Sequence, residues 1–315
     1  MPYSHHSHSG QFCKHASGSL EEVVLEAIRQ GFEMFGLTEH VPRYRSTDLY
    51  PEEEGLTSEA LVGQFREFLA EAWALKAKYA GQISLLVGLE TEHITAGDLD
   101  HLEALLSRYP GKIQYLVGSV HHAGEVPIDF DRQTFEKALG SFKAGEDASR
   151  GQMDAFLCAY FDSQLAVLTR FRPEVVGHVD LCRLYTPALR FAEYPLAHAK
   201  LKRNIAFAVG YGALFELNAA ALRKGWAAAY PGEDVVELIQ AAGGRFALSD
   251  DSHGPHAVGL NYSRLFEYAR RVGITELYVL EERDVPNSAG RHVGARAVSG
   301  SWWEHPFWTR RVSKG

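Results

Sequence analysis

Short, nearly continuous apolar runs alternate along the chain with longer stretches in which apolar residues recur every three or four positions. The runs "EMFGLTEH", "ISLLVGLE" (Ile83 to Glu90), "IQYLVGSVHH", "EVVGHVD", "ALFELN", "RFALSDDSH" and "TELYVL" have strand length and end in polar residues or turns. The first helical stretch is "SLEEVVLEAIRQG". There Leu20, Val23, Val24, Ala27 and Ile28 fall on one face, Ser19 and Glu22 form a capping-box pattern, and Gly31 is a natural stop. Further helices are predicted from about Ser58 to Tyr79, Asp98 to Arg108, Arg132 to Ala144, Met153 to Phe171, Pro195 to Ala208 and Glu233 to Ala242. Apolar strands that alternate with helices indicate a parallel sheet covered on both faces. The expected fold class is therefore α/β, a distorted TIM-like barrel of about seven βα units. A doubly wound open sheet is the alternative, but no G-x-G-x-x-G follows the first strand. Beyond about Arg283 the pattern dissolves. Residues 1–285 are expected to be the barrel domain, and 286–315 a tail that is partly disordered or packed through Trp302, Trp303 and Trp308.

A chain of 315 residues with 46% hydrophobic and 23% charged residues can bury a sizeable core. The net charge of −8, without a long Lys/Arg run, argues against a nucleic-acid partner. Cys13, Cys158 and Cys182 are odd in number and far apart, so no disulfide framework is expected and a reducing, cytoplasmic compartment fits. No apolar run approaches the roughly 18–20 residues needed to span a bilayer, and no membrane partner is expected. The oligomeric state is not legible.

The polar residues carry the chemistry. The runs finish in His6–His8, Glu39–His40, Glu90, His121–His122, His178–Asp180, Asn218 and Asp250–Asp251–His253. In a barrel the C-terminal ends of the strands share one mouth, so these residues would converge there. Imidazole and carboxylate, with no Cys at these positions, suit Zn²⁺, Fe and Mn²⁺. One catalytic zinc needs about three protein ligands. The candidates here suffice for two or three divalent ions, and Glu90 and Asp251 are the natural bridging carboxylates. His5 is off the His6–His8 alternation and should point to the opposite side. His122 is out of step with His121. His93, His101, His198, His256, His292 and His305 lack a strand-end context and read as surface or packing residues. Asp251 is preferred to Asp250, because Asp251 and His253 fall on one side of an extended turn.

The ordered set H-x-H, T-E-H, G-x-E, G-S-V-H, G-H-x-D and D-x-H resembles the PHP (polymerase and histidinol phosphatase) family. "GSVHHAGEVPIDFD", "YFDSQLAVL", "VVGHVDLCRL" and "FELNAAALRKG" resemble its histidinol-phosphate phosphatase branch. The resemblance covers roughly Met1 to Tyr278. It implies three metals, the first on His6, His8, Glu90 and Asp251. Glu90 would bridge to a second completed by His121 and His178, with a third on His15, His40 and His253. It also implies hydrolysis of L-histidinol phosphate, a small phosphorylated substrate, by a hydroxide held between metals. Glu90, Asp251 and His253 would be the residues nearest the chemistry. Arg183 and Arg223 match basic positions of the family and would bind phosphate, with Arg43 a further candidate, because a guanidinium donates two parallel hydrogen bonds. A phosphodiesterase or exonuclease, and a non-catalytic metal-binding regulatory domain, are the rival readings. The acidic balance disfavours the first, and the intact ligand set disfavours the second.

Overall fold

Six of the apolar runs, with the opening stretch, supply a single parallel sheet of seven strands whose spatial order is their order in the chain. They are β1 (Tyr3–Ser4), β2 (Met34–Leu37), β3 (Ser84–Glu90), β4 (Tyr115–Gly118), β5 (Val175–Val176), β6 (Leu214–Asn218) and β7 (Arg245–Ser249). This computed structural model describes residues 2–143, 148–298 and 300–308. The sheet curls into a nearly closed barrel. At the seam the His5 N–H donates to the Leu248 carbonyl at 3.3 Å, and Ser7–His8 pairs in parallel with Ser252–His253, placing His8 opposite His253.

Helices surround the barrel: α1 (Leu20–Gln30), α2 (Ser58–Lys78), α3 (Ala96–Arg108), α4 (Arg132–Gly140), α5 (Ala148–Phe171), α6 (Pro195–Tyr211), α7 (Glu233–Ala241) and α8 (Tyr262–Arg271). The α1 boundaries follow from local chemistry. Ser19 and Glu22 form the reciprocal capping box, and Gly31 ends the helix at φ 79°, a left-handed conformation that glycine adopts without strain. Its buried face is Leu20, Val23, Val24 and Ala27. Helix α5 begins at Ala148 rather than Met153, α4 ends at Gly140, and Ala144 lies outside the described residues.

Three features depart from the sequence expectation. "TELYVL" is not a barrel strand. Its residues open β8 (Tyr278–Glu282), which pairs antiparallel with β9 (Val293–Ala297), a strand in the stretch without pattern. This hairpin straddles residue 285. Helix α8 was not anticipated, although Tyr262, Leu265, Phe266 and Ala269 form a buried stripe at helical spacing. The tail packs against that stripe through buried Trp302 and Trp308, with the Phe266–Trp302 ring centroids 5.5 Å apart. Trp303 is only partly buried, and 309–315 lie outside the described residues.

His5 ties the hairpin to the barrel. It is fully buried, its Nδ1–H donates to Leu248 O at 3.0 Å, and its Nε2 accepts the Leu280 N–H at 3.1 Å. That pairing requires the neutral imidazole, and burial pushes its pKa down to about 4. The unfolded chain binds this proton near pH 6.5 and the folded chain does not. Stability contributed by neutral His5 is thus present above pH 6.5 and lost as pH falls toward 4, by up to about 3 kcal/mol. His5→Leu is expected to lower stability by about 2–4 kcal/mol at pH 7 by orphaning the buried Leu280 N–H and removing a Leu248 partner. It should also flatten the acid limb of a denaturation series. An unchanged acid limb would refute the role.

Candidate metal centre

Glu90 ends β3 inside the barrel mouth, and five imidazoles meet it. One carboxylate oxygen lies 3.1 Å from His6 Nε2, 3.1 Å from His121 Nε2 and 3.0 Å from His178 Nε2. The other lies 2.8 Å from His40 Nδ1 and 3.4 Å from His8 Nε2. His6 and His8 follow β1 and, two residues apart on extended chain, project to the same side. Their Nε2 atoms are 3.1 Å apart, and Asp251 Oδ1 is 3.7 Å from each. His15, His40 and His253 form the outer part of the cluster, with ring centroids of His15 and His253 5.1 Å apart. The nine residues expected as ligands are thus gathered at one mouth.

Several close-packed groups emerge within it: His6, His8 and Asp251; His6, Glu90 and His178; His8, His40 and Glu90; and His15, His40 and His253 joined by Cys13. The sulfur was not anticipated. Cys13 Sγ lies 3.2 Å from His15 Nε2, and burial pushes its thiol pKa up. His5 and His122 stay outside these groups, whereas His256 unexpectedly lines the cavity beside them.

Three buried carboxylates stand behind the imidazoles; the sequence marks Glu39 only as a strand-end acid at the mouth, and Glu92 and Glu216 not as site residues at all. Glu216 Oε2 is 3.2 Å from His6 Nδ1, Glu39 Oε2 is 3.4 Å from His8 Nδ1, and Glu92 Oε2 is 2.9 Å from His121 Nδ1. Glu216 and Glu92 hydrogen-bond the outward ring nitrogens of His6 and His121, Glu39 lies beside that of His8 without a hydrogen bond, and Nε2 faces inward in all three. Facing Nε2 pairs at 3.1 Å (His6–His8) and 3.2 Å (His121–His178) have lone pairs to share. This donor set fits divalent cations, because a carboxylate on the far nitrogen fixes the tautomer and orients a metal-binding histidine. Glu216→Gln is expected to weaken metal affinity by about 10–100-fold while the fold persists. Competition with a chromophoric chelator would measure this, and wild-type affinity in the variant would remove Glu216 from that role.

Charge follows from the packing. Burial opposes ionisation, yet Glu90, Asp251 and Glu216 raise His6 well above the usual imidazole range, and Glu90 and Glu92 do the same for His121. His8 is raised to about 9 against the same burial, by Glu39 and Glu90. Glu90 and Asp251 are held well below the carboxylate range by the imidazoles, despite burial. Burial, then the neighbouring His8, push His40 and His253 well below the imidazole range.

Asp251 and Asp250 separate cleanly. Asp251 takes a left-handed φ of 47°, faces the cluster and receives Asn218 Nδ2 at 3.3 Å. Asp250 turns away to Ser4 Oγ and to the backbone N–H groups of Ser252 and Gly259.

A cavity of about 450 Å³ opens over the cluster, with Arg223 and Lys224 in its wall. Arg223 Nη1 donates to the Asp251 carbonyl at 3.1 Å. The other two expected arginines are not brought there. Arg43 is buried and forked onto Glu53, and Arg183 is buried between Asp180 and Asp234, with a further bond to Leu189 O. Neither lines the cavity, since their guanidinium donors are engaged by buried or half-buried carboxylates.

A family model described as PHP domain matches residues 4–220. The chain is 43% identical over 307 residues to a Schizosaccharomyces pombe protein named probable histidinol-phosphatase, covering 96% of each. It is 31% identical over 322 residues to the histidinol-phosphatase of Saccharomyces cerevisiae, covering 91% of this chain and 93% of that one. A solved histidinol phosphate phosphatase from Lactococcus lactis, complexed with zinc, L-histidinol and phosphate, superposes with a TM-score of 0.61 at 19% identity. The match covers 88% of this chain and 96% of that one, and it establishes the shared fold.

Proposed function

This chain belongs to the PHP-domain family, and from that premise we infer that it is a metal-dependent histidinol-phosphatase. It hydrolyses the phosphomonoester L-histidinol phosphate to L-histidinol and phosphate, a step of histidine biosynthesis. The observation that carries the reading is the convergence of imidazoles on Glu90, with three of them backed by Glu39, Glu92 and Glu216. His6, His8, Glu90 and Asp251 would hold one cation, Glu90 with His121 and His178 a second, and His15, His40 and His253 a third. Zn, Fe or Mn fits these donors. Bound cations supply Lewis acidity and a water acidified toward neutral pH.

The chain's own residues do the rest. Glu90 and Asp251 offset the charge of the cations. His253, 3.5 Å from Asp251 Oδ1, borders the cavity where the phosphate would lie. Arg223 reaches that space and offers its remaining donors to phosphate oxygens, whose growing charge it stabilises. Arg223 is half-buried, so its charge is screened less than that of an exposed arginine. Among the described residues no helix is long and apolar enough to cross a membrane. A cytoplasmic site of action is part of this reading, since the three free thiols suit a reducing compartment.

The test is phosphate release from L-histidinol phosphate, compared with bis-p-nitrophenyl phosphate, with metal content determined on the same sample. Rapid turnover of the monoester with two or three ions per chain is expected. Diesterase activity alone, or bound metal without turnover, would reject the reading.

A further inference from the structure

The cavity wall beside the metal donors carries a carboxylate that no step above uses. After His121 the chain makes a tight hairpin, His122–Ala123 against Val126–Pro127, and the Ile128 N–H returns to the His121 carbonyl at 2.9 Å. Ile128 is fully buried, so the next two residues, Asp129 and Phe130, are fixed at the cavity wall beside a candidate metal ligand. Among the described residues the Asp129 carboxylate accepts no hydrogen bond. Its closest cation is Lys224 Nζ at 3.7 Å. This differs from Glu53, Glu92 and Asp180, whose oxygens are held by bonds that fix other side chains or backbone.

An aromatic surface adjoins it. The Tyr50 and Phe130 rings lie nearly parallel, 16° apart with centroids separated by 6.2 Å, and both line the cavity. Phe130 is 38% exposed, so part of its ring faces the cavity. Arg43, clamped by Glu53, sits 4.7 Å over the Tyr50 ring and holds it in place, while His15 meets the same ring edge-on at 5.9 Å. The aromatic surface therefore runs from the metal donors to the rim, with a carboxylate alongside.

We propose that Asp129, with Tyr50 and Phe130, is the subsite for the cationic, imidazole-bearing end of the phosphomonoester and sets selectivity for it. This rests on the histidinol-phosphatase reading. With the phosphate at Arg223 and the metal donors, the rest of the substrate extends along the aromatic surface. Its ring packs on Tyr50 and Phe130, and its ammonium replaces Lys224 as the partner of Asp129. A charge-assisted hydrogen bond donated by the ammonium to an otherwise unbonded carboxylate discriminates strongly against substrates that lack the cation.

The experiment compares metal-loaded wild type with Asp129→Asn on L-histidinol phosphate and on p-nitrophenyl phosphate, and measures inhibition by L-histidinol. The variant is expected to raise KM for L-histidinol phosphate and Ki for L-histidinol by roughly 10–100-fold. Its loss of kcat/KM on that substrate should exceed the loss on p-nitrophenyl phosphate by at least about tenfold, at equal metal content. Equal losses on the two substrates would overturn the subsite, as would a fall in kcat with KM and Ki unchanged. Wild type that releases no phosphate from L-histidinol phosphate overturns the functional reading and this proposal with it. Wild type that turns it over, beside a variant with wild-type Ki, overturns the subsite alone.

Discussion

Glu90→Gln is expected to lower kcat/KM for L-histidinol phosphate by ~10³-fold or more, equivalent to roughly 4 kcal/mol of transition-state stabilisation, while the chain stays folded. Glu90 is the carboxylate that His6, His8, His40, His121 and His178 all approach within 3.4 Å. Glutamine keeps the shape but removes the charge and turns one acceptor into a donor facing imidazole nitrogens. The cations that Glu90 would hold together with these histidines would then lose an anionic ligand. Metal analysis with steady-state kinetics checks this: fewer ions per chain, low turnover and a circular-dichroism spectrum like that of wild type. A fully metallated, active Glu90→Gln enzyme would contradict the bridging role.

Removal of metal is expected to abolish activity and to reverse the pH trend of stability. Without cations, His6 and His121 hold protons well above the usual range and His8 up to about 9. Their folded pKa values exceed the unfolded value near 6.5. The stability they contribute is therefore fully present below pH 6.5 and lost as pH rises through about 9. In the loaded enzyme the same nitrogens are unprotonated, so cations must displace those protons, and metal binding weakens as pH falls. The expected observations are proton release on metal addition at pH 7, and an apparent affinity that rises with pH up to about 9. Between pH 6.5 and 9 the melting temperature should fall for chelated protein and rise for loaded protein. Calorimetry in buffers of different ionisation enthalpy measures the protons. Metal uptake without proton release would refute the assignment.

The quenching of Arg43 and Arg183 sharpens the electrostatics of the mouth. Both arginines serve as buried struts, Arg43 under Tyr50 and Arg183 between Asp180 and Asp234. Arg223 and Lys224 remain as the cationic side chains other than histidine in the cavity lining, and Lys224 lies 3.7 Å from the acid at Asp129.

The alternation of apolar runs with amphipathic stretches was enough by itself to determine a parallel barrel of about seven units. The polar residues that end those runs were enough to mark its mouth. Both are local signals: strand length and helical period are written in neighbouring residues, and a barrel brings every strand end to one face. His6 with His8, and Asp251 with His253, were legible for that reason. What lies behind the imidazoles was decided only by tertiary structure. Glu216 meets His6 across 210 positions and Glu92 meets His121 across 29, and nothing in a local pattern distinguishes such an acid from one facing solvent. The same holds for Asp234, which captures Arg183, for Cys13 beside His15, and for β9, which draws "TELYVL" out of the barrel. In each case the deciding contact is made by a partner that packing alone selects. A side chain's charge, tautomer and availability depend on that partner, not on its neighbours in sequence.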